Sequence, residues 1–446
     1  MNILEIHIVK LRHQINENNG GNMKVIVIGG GWAGCAAALQ AVKSGAEVEI
    51  YERTDLLLGV GNVGGIMRNN GRFTASEELI NLGAGELIDI MDSIALHKNI
   101  EFPGHKHAWL CDVSKAEPFV RNYLFNKGVS VFFRTRAVNV EVKENKINSI
   151  ILEDKTKVYG DVFIDTTGST GSMANCSKYG NGCSMCVLRC PSFGIRVSIT
   201  EKAGVKDLIG ERSNGARGAM SGSCEIPRES ISSELIKQLD ETGVVIIPTP
   251  KEDIHLEKLQ EKVCQQYATT DFAENIILLD TGHIKLMTSY YPIDKLRKVK
   301  GLEQARYIDP LAGSIGNSIR YLAASPRTNS MKVVGIDNLF CAGEKSGFFV
   351  GHTEAIVTGT LAGYNAVKYS EGKELLELPR ELTTGDIIAY ANDKVESGNM
   401  VERYTFSGAE YFERMKELGL YSTDKDEIKD KVKSLGLSNI FNLCKK

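Results

Sequence analysis

Lys24-Val-Ile-Val-Ile-Gly29-Gly30-Gly31-Trp32-Ala33-Gly34-Cys35 decides the fold of this chain. The apolar run reads as a buried strand, the glycines as a tight turn, and the residues after them as a helix. Each glycine has its own reason. Gly29 allows the strand-to-helix turn, Gly31 lets a pyrophosphate approach the backbone beside Ala33, and Gly34 lets the helix pack closely on the strand. Phosphates would then rest on free N–H groups at a helix N-terminus, where the macrodipole favours negative charge. The helix, Cys35-Ala-Ala-Ala-Leu-Gln-Ala-Val-Lys-Ser44, is built of small and straight-chain residues and stops at Gly45. A second strand, Glu47-Val-Glu-Ile-Tyr51, ends in Glu52-Arg53, where an acidic side chain takes ribose hydroxyls. The whole reads as a dinucleotide-binding βαβ unit.

Gly59-Val-Gly61-Asn-Val-Gly64 repeats the same glycine spacing. No strand leads into it, so it is expected to be a loop.

Two later segments share the strand-then-glycine form: Tyr159-Gly-Asp-Val-Phe-Ile-Asp165-Thr166-Thr167-Gly168 and Asp337-Asn-Leu-Phe-Cys-Ala-Gly343-Glu344. A glycine-punctuated helix follows from Gly351. With the opening turn, these segments resemble the two-dinucleotide-binding-domain flavoproteins. That resemblance implies bound FAD, with Thr167 and Gly168 closing the middle strand and Gly343, Glu344 and Gly351 returning to the flavin. It also implies that a strand over 129–140 reaches the adenine at Val138. In that family the late helix points its N-terminus at the isoalloxazine, where charge on the reduced ring is stabilised.

Lys300-Gly-Leu-Glu-Gln-Ala-Arg306, then Ala342-Gly343, Gly347, Gly351, Glu354-Ala355, Gly359 and Ala362-Gly363, resemble the late motif of the GidA family, flavoproteins that modify uridines in tRNA. The implied fold is α/β: a Rossmann-type FAD-binding domain with a parallel sheet, an inserted α+β substrate domain and a helical C-terminal tail. Expected boundaries are 23–170 and 331–370 for the FAD domain, 171–330 for the substrate domain and 371–446 for the tail. Residues 1–22 are expected to be a disordered extension before Met23. Helices are expected at 114–124, 229–239, 255–263, 386–395 and 409–418.

Composition sets bounds. The chain has 446 residues, 42% hydrophobic and 24% charged, enough for a large core. No apolar stretch approaches the roughly 18 residues of a spanning helix, and no secretion signal is visible, so a cytoplasmic, membrane-free protein is expected, with a homodimer as its assembly. Basic residues number 53 and acidic residues 56, so there is no bulk attraction for polyanions. One local basic cluster stands out: Lys295, Arg297, Lys298 and Lys300.

Of ten cysteines, Cys176, Cys183, Cys186 and Cys190 fall close together. In a reducing compartment they are not expected to be structural disulfides. Three chemistries fit. Cys183-Ser-Met-Cys186 is a CxxC, and Arg189 beside Cys190 favours a thiolate, so Cys183, Cys186 and Cys190 are candidate catalytic thiols. The four together are candidate ligands of an iron–sulfur cluster, or of tetrahedral zinc. The GidA resemblance adds that Cys190-Pro191-Ser192 is similar to that family's Cys-Pro-Ser, where a cysteine near the flavin adds to uridine C6. His283, Lys285, Tyr290 and Tyr291 lie in an apolar stretch and are weaker candidates for touching substrate, the histidine and tyrosines being expected to be hydrogen-bonded packing residues; Arg217 is an anion-clamp candidate.

The expected activity is that of an FAD-dependent oxidoreductase, reduced by NAD(P)H and acting on a small molecule or thiol. The alternative is a GidA-like enzyme modifying uridine in tRNA. Binding that weakens steeply with salt separates the second from the first.

Overall fold

The computed structural model describes residues 23–169, 193–215, 217–221, 224–261, 264–288, 291–308 and 318–442. In chain order, β1 (Lys24–Ile28) leads to α1 (Trp32–Lys43), β2 (Glu47–Tyr51), β3 (Ser130–Phe132) and β4 (Val162–Asp165). A second group of strands follows: β5 (Cys224–Ile226), β6 (Val244–Pro248), β7 (Asn275–Thr281) and β8 (His283–Leu286). The chain then returns through β9 (Leu339–Cys341) to α2 (His352–Ser370) and α3 (Thr383–Glu396).

Five strands form a parallel sheet in the order β9-β4-β1-β2-β3. Val25, Ile26 and Val27 on the central strand have no exposed surface, because layers cover both faces of the sheet. That is why β1 is an unbroken apolar run and does not alternate. Since all five strands run one way, their carboxyl ends share one edge, which is where open α/β sheets bind ligands.

The late helix explains its own glycines. A Cβ on Gly359 would lie 2.3 Å from the Ala33 carbonyl oxygen, and one on Gly363 2.2 Å from that of Ala37. α2 and α1 therefore meet backbone to backbone, and the small residues of both helices are their contact surface.

The strand expected over 129–140 is divided. Its first part is β3, edge strand of the parallel sheet; the chain then turns through Arg134 at φ 53° and Ala137–Lys143 opens a separate antiparallel meander with Lys146–Leu152 and Lys157–Tyr159. The apolar run serves two sheets, which its composition did not reveal.

The second sheet is antiparallel, in the order β5-β8-β7-β6, over a core that includes Ile226, Leu278, Ile284 and Leu286. The helix expected at 229–239 starts later, at Ser233–Thr242, because Ser232 accepts the Leu235 N–H and caps it. The helix expected at 255–263 is a 3-10 stretch, Leu256–Glu261; Leu256 is exposed, so the segment has too little apolar face to pay for a longer helix.

Tail helices occur at α3 and Ala409–Glu417, with an unpredicted third at Lys425–Ser434. They pack onto the cofactor half. Glu78, in the Gly71–Asn81 helix, accepts the Thr383 and Thr384 N–H groups at the start of α3, and burial pushes its carboxyl up to about 7. Gln40 of α1 donates to the Phe441 carbonyl at 2.9 Å. Among the described residues, no helix is long and apolar enough to cross a membrane.

Candidate functional site

One cleft runs along the carboxyl edge of the parallel sheet. Its first wall is the glycine turn. Gly29 has φ +102°, and a Cβ there would lie 2.7 Å from the Thr166 carbonyl oxygen. A Cβ on Gly34 would lie 1.9 Å from the Gly29 carbonyl oxygen, so this residue packs into the turn and does not line the cleft. Gly31 faces open space. It is the N-cap of α1, with no side chain closing the helix end, so the first N–H groups of the helix are available to an anion.

Glu52 is buried at the end of β2. One of its oxygens accepts the Gly30 N–H at 2.7 Å, and the other accepts the Thr54 N–H and hydroxyl, each at 2.8 Å. The acid therefore shapes the glycine turn as well as lining the cleft beside Arg53. Val138 does not line it; its neighbour Ala137 does, because the meander begins there.

The middle of the cleft is made where β4 and β9 end side by side. Thr166 donates its hydroxyl to the carbonyls of Ile28 and Gly29, locking the β4 end to the glycine turn. Thr167 and Gly168 follow, with Thr167 held by the buried Asp165. Gly343, at φ +69°, donates its N–H to Thr358 of α2, and Glu344 accepts from Ser169. Gly351 and His352 bring the α2 N-terminus to the far end.

Sequence reasoning missed much of that far end. The 59–64 segment is no free loop: it forms a 3-10 turn, Gly59–Val63, tied to the first turn by Leu58 N–H to the Gly30 carbonyl at 2.7 Å. A Cβ on Gly61 would lie 2.2 Å from the Trp32 ring and one on Gly64 1.8 Å from the His352 ring. Those glycines make room for two aromatic rings that meet edge to face at 5.7 Å. Beyond them, the far wall is Arg72, Cys264, Gln266, Tyr267, Lys285 and Met287. Of these, only Lys285 is among the residues the sequence marks, as a weaker candidate for substrate contact. Spacing that depends on the second sheet leaves no local signal for the others.

The remaining candidates separate. Tyr291 is buried and donates to Asp253 at 3.2 Å, a structural role. Lys295 pairs with the same Asp253 and Arg297 donates to the Ala305 carbonyl at 2.8 Å, which spends half of the basic cluster internally. Arg217 pairs with Glu211 on the surface. Cys176, Cys183, Cys186 and Cys190 lie outside the described residues. Among the described residues, no cluster of three or more His, Cys, Asp or Glu side chains is placed to hold a metal.

The cleft fits a dinucleotide on its own terms. An uncapped helix end faces open space at Gly31, and the buried Trp32 Nε1, in the cleft wall, has no hydrogen-bond partner among the described residues. Comparison with known proteins supplies the family. A model described as glucose inhibited division protein A matches residues 24–275 and 274–374. The chain belongs to that family. The GidA resemblance read from the glycine motifs is thereby shown, and with it an FAD-dependent flavoprotein.

Among curated relatives, the chain is 39% identical over 90 residues to the tRNA uridine 5-carboxymethylaminomethyl modification enzyme MnmG of Desulfotalea psychrophila, covering 20% of this chain and 13% of that protein. It is 38% identical over 97 residues to the methylenetetrahydrofolate--tRNA-(uracil-5-)-methyltransferase TrmFO of Enterococcus faecalis, covering 21% of each. The matched region is thus a small part of either relative's length. A solved structure of Aquifex aeolicus GidA superposes with a TM-score of 0.62 at 16% identity, covering 93% of this chain and 76% of that one, and so shares the fold. These matches correct the expectation of redox chemistry on a small molecule or thiol: the family model spans most of the chain, and the two relatives above are named for action on tRNA.

Proposed function

We propose that this GidA-family chain is an FAD-dependent enzyme that modifies a uridine in tRNA. The observation that carries the reading is that the family match, residues 24–374, takes in every segment that builds the cleft, from the glycine turn through the second sheet to α2. Gly29, Gly31, Ala33 and the α1 N-terminus would take the pyrophosphate, Glu52 the ribose, and Thr167, Gly168, Gly343, Glu344 and Gly351 the flavin end. When bound, FAD would supply two-electron transfer, with NAD(P)H as the external donor. Tyr267, from the 3-10 segment Gln265–Tyr267, and Met287, just after β8, would wall the far end. Cys190, in its Cys-Pro-Ser sequence, is the proposed thiol that adds to the uridine ring. The 23–170 and 331–370 segments form the cofactor domain in this reading, 171–330 the substrate domain, and the protein acts in the cytoplasm as a homodimer.

RNA contact on a chain of net charge −3 has to be local. Lys298 and Lys300 are the exposed members of the basic cluster left for it. The test is nucleoside mass spectrometry of tRNA from cells lacking this chain, together with binding of tRNA by the purified protein across salt. Loss of one modified uridine, restored by the wild-type chain and not by Cys190→Ala, and affinity that falls steeply with salt, are expected. An unchanged uridine profile would overturn the reading.

A further inference from the structure

β8 alternates. Ile284 and Leu286 turn into the core of the second sheet, whereas Lys285 and Met287 face the cleft. Lys285 is 3% exposed, an unusual place for an ammonium group. Its Nζ donates to the Val63 carbonyl, at the end of the second glycine turn. The next residue, Gly64, packs against the ring of His352, the first residue of α2. The amine therefore sits at the α2 end of the cleft, away from Glu52. Glu225 is its register partner on β5 and Leu279 its partner on β7. Burial lowers the Lys285 pKa, while Glu225, Cys224 and Cys264 act to raise it.

Resting on the FAD reading above, we propose that Lys285 is the cation that favours the reduced cofactor, holding the negative charge that gathers at the pyrimidine edge of the isoalloxazine when two electrons enter. The oxidised ring is neutral and gains little from it. A fixed ammonium already withdrawn from water interacts more strongly with developing charge than a solvated one, since no solvent has to reorganise. The α2 N-terminus adds a partial positive charge at the same end.

The test measures the affinity of full-length apoprotein for oxidised FAD and, anaerobically, for reduced FAD, in the wild type, Lys285→Met and Lys285→Arg, with thermal unfolding as a check on folding. In Lys285→Met the ratio of the two affinities is expected to shift at least tenfold against the reduced form, a fall in two-electron potential of about 30 mV. Lys285→Arg keeps the charge and is expected to hold most of the wild-type ratio. Equal weakening of both forms in Lys285→Met, or no change in either, would overturn the inference while leaving the FAD reading intact. Wild-type protein that takes up neither form would overturn the FAD reading itself.

Discussion

Gly29-Gly-Gly31-Trp-Ala-Gly34 and Gly59-Val-Gly61-Asn-Val-Gly64 have the same spacing and lie against each other, yet their glycines answer different neighbours. In the first, the obstacles nearest Gly29 and Gly34 are backbone: the Thr166 and Gly29 carbonyls. In the second, the obstacles nearest Gly61 and Gly64 are side chains, the rings of Trp32 and His352. Backbone inside a packed turn cannot move aside, whereas a ring can turn or be replaced. A glycine motif has its dinucleotide meaning only where a strand enters and a helix leaves.

The hardest test of this contrast is Gly34→Ala. Its Cβ would stand 1.9 Å from a carbonyl oxygen, and the expected cost is about 3 kcal/mol or more by urea unfolding, with loss of bound flavin. No single neighbouring substitution is expected to rescue it.

Acid sharpens the contrast from the other side, because the far wall leans on a buried histidine. His105 accepts from Asn69 at Nδ1 and donates from Nε2 to the Gln266 carbonyl, packed among Phe102, Tyr267 and Phe272. Burial pulls its pKa down to about 3. The unfolded chain thus takes up a proton that the folded one refuses. The stability this residue contributes is complete above about pH 6.5 and is lost as pH falls toward 3. Between pH 7 and pH 5 the wild type is expected to lose about 2 kcal/mol more than His105→Gln, measured by denaturant unfolding at both pH values.

Gly61→Ala is expected to cost about 1–2 kcal/mol, and less in a Trp32→Leu background, a coupling of at least about 0.5 kcal/mol in a double-mutant cycle. Equal costs in the two backgrounds would remove the distinction between ring and backbone obstacles.

Gly31→Ala should move stability least, within about 0.5 kcal/mol, because a Cβ there meets nothing within 4 Å. FAD affinity should nonetheless fall at least tenfold, since that methyl group would occupy the path of the pyrophosphate. Isothermal titration of apoprotein with FAD checks it.

The cofactor half was legible because its signals are local. β1, α1, β2 and β9 each announce themselves by an apolar run and a glycine. The far wall was not. Cys264, Gln266 and Tyr267 come from a short irregular segment whose position is set by His105 and by the second sheet. In the sequence Lys285 is one residue of an apolar stretch, and only the facing of β8 shows which side it takes. Val138 missed the cleft by one residue because Arg134 turns the chain at positive φ, a conformation without a marker in an arginine.

By itself, the sequence determined a parallel dinucleotide-binding sheet, the order in which its segments return, and membership of a flavoprotein family, because strand, turn and helix propensities act over a few residues. Tertiary structure alone decided that the second glycine segment seats two rings, that Glu52 builds the turn it was expected only to serve, and that a lysine from the antiparallel sheet reaches the α2 end of the cleft. Those outcomes depend on contacts between residues far apart in the chain, where register and packing choose the neighbours.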